Sequence, residues 1–147
     1  MTSKFIQSSS RIIWDTDLMS SRFTLAIAEF MWAILLLWPG EVFQRPLYIH
    51  LASVMGEDAW GLVFLLAGVT QLTIMLLNDV HSRFARHFAG WNSVLWIYVV
   101  ISLVMSEYPP PAFIGGEIAM SIIASWIWVR PYLLAQGYKN VRKLPRE

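Results

Sequence analysis

The sequence predicts an all-α membrane protein: a four-transmembrane-helix bundle with an interfacial amphipathic helix in the first external loop. Three observations carry this prediction. Four apolar runs of near-span length are separated by segments rich in proline, glycine and charge. Hydrophobic residues make up 56% of the 147 and charged residues only 14%, with a mean hydropathy of +0.52, which is more apolar than an average soluble domain. Finally, the basic residues divide unevenly between the two sides that such a bundle defines.

Composition also removes function classes. Eleven Lys and Arg against ten Asp and Glu leave +1, too little for a nucleic-acid footprint, so no nucleic-acid partner is expected. With no cysteine, disulfides, thiol redox chemistry and cysteine-based zinc sites are all excluded.

Residues 1–21 are polar and Ser-rich, read as a cytoplasmic segment that forms either a short surface helix or a flexible tail. The first span is expected at about 23–38. Its apolar run begins only after Arg22, contains Glu29, and ends at Trp38-Pro39-Gly40 without a small-x-small cleavage site. It therefore reads as a retained span rather than a signal peptide.

In residues 41–58, Val42, Phe43, Leu47, Tyr48, Leu51, Val54 and Met55 recur at helical spacing. This one-sided pattern predicts a surface-lying or re-entrant helix with Pro46 in its first turn. Glu57 and Asp58 then suit the start of the next helix, whose dipole favours acids there. The remaining spans are expected at about 59–77, 88–105 and 112–129, the last two separated by a Pro109-Pro110-Pro111 turn. Residues 22–134 thus form the transmembrane domain and 135–147 a basic cytoplasmic tail.

Placing both termini and the 78–87 loop on one side puts Lys4, Arg11, Arg22, Arg83, Arg86, Arg130, Lys139, Arg142, Lys143 and Arg146 there. Only Arg45 is left on the other side. Such a split, ten to one, places both termini in the cytoplasm, with the lipid bilayer as first partner. Arg83, Arg86, Arg130 and the tail residues Lys139, Arg142, Lys143 and Arg146 are then expected to contact lipid headgroups.

Because apolar burial does not drive helices together in lipid, small residues should mark the contacts. Gly61 and Gly68, Ser121 and Ser125, and Ala26 and Ala33 are the candidates.

Glu29 is the most informative residue, since a charge at mid-span costs at least about 2.5–3.5 kcal/mol. It must be carried neutral or paired inside the bundle. Counting inward from the helix ends puts Gln71, Asn92 and Ser125 at similar depth, so each helix would give one group to a buried polar layer. That layer is either a proton, ion or solute site or a hydrogen-bonded lock on helix register, and the lock is the commoner use of polar groups in membranes.

Glu117 reads as an acid in a helix's first turn. The histidines have no accompanying ligand pattern, and none lies within a span to hold a haem, so neither metal nor cofactor is expected. Trp38, Trp60, Trp91, Trp126 and Trp128 suit interfacial anchoring, whereas Trp32 and Trp96 should pack between helices. No nucleophile–base set is visible, which disfavours an enzyme.

The run Trp38-Pro39-Gly40-Glu41-Val42-Phe43, the run Ala59-Trp60-Gly61-Leu62-Val63-Phe64-Leu65-Leu66-Ala67-Gly68 and the basic C-terminus give the chain its resemblance. It resembles the small four-span inner-membrane proteins of tailed bacteriophages and prophages. That resemblance implies a non-enzymatic accessory or effector acting within the bilayer, as a homo-oligomer or with another membrane protein. A holin-like member would permeabilise the membrane, and an immunity protein would block infection by a second phage. The alternatives are a transporter or channel subunit using Glu29, and a structural subunit of a larger complex. Size and span count are also those of the four-helix DoxX-like membrane proteins, without a motif in common.

Overall fold

Steps of three and four residues between buried positions organise the long helices. In α1 (Thr2–Leu37) the buried series is Leu18, Arg22, Leu25, Glu29, Trp32 and Leu36. In α3 (Glu57–Leu76) it is Trp60, Phe64, Ala67, Gln71 and Ile74, and in α4 (Arg83–Ser106) Ala85, Ala89, Asn92, Trp96, Val99 and Leu103. Such a repeat keeps one seam facing the partner along the whole helix and is the pattern of left-handed bundles, in water and in lipid. The opposite faces carry exposed Met31, Ile34, Leu62, Leu66, Val94, Ile101 and Ile122, a surface suited to hydrocarbon rather than water.

The structure is a computed structural model. It describes the backbone of residues 2–40, 42–77, 82–106 and 114–141, and the side chains of 17–40, 42–77, 82–106 and 114–133. About 90% of it is helical, with no strand among the described residues. Three stretches are long and apolar enough to cross a membrane: Asp17–Leu37, Glu57–Leu76 and Arg83–Ser106. The fourth apolar run is also helical, within α5 (Ile114–Val141).

α1 packs chiefly along α3, and α4 along α5. Arg22 reaches the Ala85 carbonyl and Glu29 meets Asn92, pairs separated by the same 63 residues, so α1 and α4 run parallel in fixed register. Ser93 bonds Ser125 and Gly90 sits under Trp128, three residues back on one helix and three on along the other, as antiparallel neighbours must.

Two helices run beyond their expected spans, and one expectation is corrected. α1 does not break near residue 21; its backbone is continuous from Thr2, since no Pro or Gly interrupts it before Pro39 and Arg22 is buried rather than in a loop. α5 likewise continues through Pro131, past the 112–129 expected for the span. Proline's fixed φ is helical, and its cost is the lost N–H toward the carbonyl four residues back and the ring's crowding of it.

The correction concerns residues 42–55, which form no single amphipathic helix. They make two 3₁₀ turns, Val42–Gln44 and Pro46–Tyr48, and the single turn α2 (Ile49–Ala52). Glu57 organises them: its two carboxylate oxygens accept the Val42 and Phe43 N–H groups at 2.9 and 3.1 Å. The Trp60 indole N–H donates to the Leu51 carbonyl at 2.9 Å, and the Tyr98 hydroxyl to that of His50 at 3.4 Å. Val42, Leu47, Tyr48 and Leu51 are thereby buried against the helix ends. The apolar spacing serves a cap over the bundle, so the apolar face meets protein.

Candidate functional site

The polar groups on the α1 seam define the candidate site. Arg22 and Glu29 lie seven residues apart, two turns and about 10.5 Å along one helix face. Arg22 is 1% exposed, and Glu29, Gln71 and Asn92 are each 0%, so this is a sealed core.

Arg22 organises its lower half. Nη1 donates to Gln71 Oε1 at 2.8 Å and Nη2 to the Ala85 carbonyl at 3.2 Å, binding α1 to α3 and α4 at once. The small side chain of Ala85, fully buried, is what lets a guanidinium reach that backbone. Glu29 organises the upper half: Asn92 Nδ2 donates to its Oε1, and the Arg22 guanidinium attracts it electrostatically. The Trp96 indole lies beside the same carboxylate, yet neither Trp96 Nε1 nor Glu29 Oε2 makes a hydrogen bond of regular geometry. Gln71 Nε2, Asn92 Oδ1 and Arg22 Nε are likewise buried without a partner. The core therefore holds both donors and acceptors with bonding capacity to spare.

Of the four residues expected in one layer, the structure brings only Glu29 and Asn92 together. Gln71 turns to Arg22, and Ser125 pairs with Ser93 at 2.8 Å between α5 and α4. Sequence reasoning counted Arg22 as a flanking loop charge and so missed the group that captures Gln71. The available signal was its place on the Leu18–Leu25–Glu29 seam.

Gly61 and Gly68 do lie at a helix contact. A Cβ on Gly61 would come within 2.7 Å of the Leu37 side chain, and one on Gly68 within 3.2 Å of Phe30. Ala26 and Ala33 are buried on the same α1 face, while Ser121 is only half-buried. A Cβ on Gly90 would come within 2.9 Å of Trp128 Nε1, a contact that is not apparent in sequence because its partner is on another helix.

Arg83 is exposed and Arg86 half-buried, but Arg130 does not face outward. It is buried and forms an ion pair with Asp17 at 3.3 Å, joining α5 to α1. Trp60, expected as an interfacial anchor, is buried beneath the cap. Arg142, Lys143 and Arg146 lie outside the described residues, as do the side chain of Lys139 and the Pro109–Pro111 turn.

Outside the sealed core, Tyr48 feels two opposite charges. Burial pushes its hydroxyl above the usual tyrosine range, with Arg45 opposing and Glu117 adding to the shift. No group of three His, Asp or Glu side chains suited to a metal occurs among the described residues.

No family profile matches the chain, and neither a characterised protein nor a solved structure is detectably similar to it. The functional reading therefore rests on the site itself.

Proposed function

We propose that this chain is a four-span protein of the bacterial cytoplasmic membrane, with both termini inside, that acts without catalysis by associating with other membrane components. In this reading α5 is the fourth span and the buried polar pairs are a register lock. The observation that carries it is closure: Arg22, Glu29, Gln71 and Asn92 are at most 1% exposed. A transport site needs a wet path to exchange its ion, whereas a lock works best sealed. The ten-to-one division of basic residues supports the orientation. A phage-type accessory or effector role fits such a protein, since its working surface would be its lipid-facing exterior.

Glu29→Gln tests the lock. It should lower stability in detergent and leave proton flux in proteoliposomes at the empty-vesicle level. The unpartnered Glu29 Oε2 favours a second reading, a proton-coupled subunit. A flux in the wild type that vanishes in a stably folded Glu29→Gln variant would establish that reading instead. Topology is tested separately, and the absence of native cysteine makes this clean. Single cysteines at Ser82 and Ser8 should resist an impermeant maleimide in intact cells, and one at Ser53 should react. A cysteine at Tyr132 that reacts from outside would remove α5 as a span.

A further inference from the structure

α1 and α5 are tied together at one end and apart at the other. Asp17 and Arg130 join them at the end away from the cap. Toward the capped end they diverge around a groove of about 650 Å³ lined by residues including Met31, Leu35, Trp96, Gly116, Glu117 and Met120. Met31 and Leu35 are exposed, so the groove is open sideways to the surrounding medium. A Cβ on Gly116 would meet nothing within 4 Å.

Three features indicate an occupant. The groove reaches Trp96, ten residues from the end of α4 at Ser106. That is about 15 Å, half of a ~30 Å hydrocarbon core and thus the length of one leaflet. At its mouth, in the first turn of α5, Glu117 holds one carboxylate oxygen, Oε2, buried and without a partner. Fully buried Trp96 forms the inner wall.

We propose that this groove binds one zwitterionic aminophospholipid, with its ammonium on Glu117 and an acyl chain against Met31, Leu35, Trp96 and Met120. A primary ammonium supplies charge-assisted hydrogen bonds to a carboxylate; a quaternary ammonium cannot, and an anionic headgroup meets repulsion. The Glu117 carboxylate at headgroup depth selects the lipid, and the apolar wall holds its chain. This rests on α5 crossing the membrane as proposed above, which the cysteine labelling decides independently.

The experiment is native mass spectrometry of the full chain from mixed micelles carrying phosphatidylethanolamine, phosphatidylcholine and phosphatidylglycerol with identical acyl chains. The wild type should retain one phosphatidylethanolamine at about tenfold or greater preference. Glu117→Gln should abolish that preference and Glu117→Asp preserve it. Gly116→Leu, which fills the groove, should remove the bound lipid, while Ala119→Leu, at an exposed position off the groove, should not. Equal retention of the three headgroups, or an unchanged preference in a folded Glu117→Gln variant, would overturn the proposal. So would a second copy of the chain displacing lipid in the wild type but not in Gly116→Leu.

Discussion

The two halves of the bundle are held by different chemistry. Toward the chain termini, α1 is tied by directional polar pairs: Asp17 to Arg130, Arg22 to Gln71 and Ala85, and Glu29 to Asn92. Toward the cap the contacts are aromatic. Trp32 packs on Phe64 at 5.2 Å and meets Trp96 edge-on at 6.4 Å, and Trp60 stacks on Tyr98 at 5.8 Å. Rings fill volume and tolerate small slips, whereas a buried hydrogen bond fails when its partner moves by an ångström. Register is set in the polar half and tightness in the aromatic half.

Breaking the polar half should have the largest effect. Arg22→Met or Glu29→Leu alone leaves the other charge uncompensated and should cost about 3–5 kcal/mol in reversible unfolding from mixed micelles. The double variant should cost far less than the sum, and additive losses would show the two are not coupled. In the aromatic half, Phe64→Ala should cost about 3 kcal/mol without shifting helix register, as read by cysteine cross-linking across α1 and α4. Gly61→Ala, which drives a methyl into Leu37, should cost about 1–3 kcal/mol. Ser93→Ala should cost only about 0.6 kcal/mol, and adding Ser125→Ala should cost almost nothing more. Smallest is a pH effect at the cap. The folded state holds the Tyr48 proton more tightly than the unfolded one, so above about pH 10 the unfolded chain loses it first and stability falls as pH rises. Tyr48→Phe should flatten that fall.

The helices were legible because their determinants are local. The predicted second span, 59–77, agrees with Glu57–Leu76 to within two residues, set by Gly56 and the two acids before it. Glu29 also announced itself, since a carboxylate in an apolar run demands an explanation wherever it occurs. The rest depended on partners far along the chain. Nothing near Arg22 shows that Gln71 and the Ala85 carbonyl, 49 and 63 residues away, will satisfy it, so a loop position looked cheaper. The spacing in residues 42–55 was helical, but Glu57 and Trp60 divert those residues into short turns against the bundle. Local periodicity reports which residues want burial and is silent on what buries them.

The shared 63-residue separation of the α1–α4 contacts has a consequence in biosynthesis. Chains emerge at about 5–20 residues per second, so Asn92 follows Glu29 by about 3–13 s. Through that interval the first helix carries a carboxylate whose neutral partner does not yet exist. Arg22, two turns away, gains Gln71 sooner, 49 residues after itself. The nascent hairpin of α1 and α3 must therefore hold Glu29 beside the insertion machinery or against its own arginine until α4 arrives. The bundle is complete only when its first helix has been joined by one made much later.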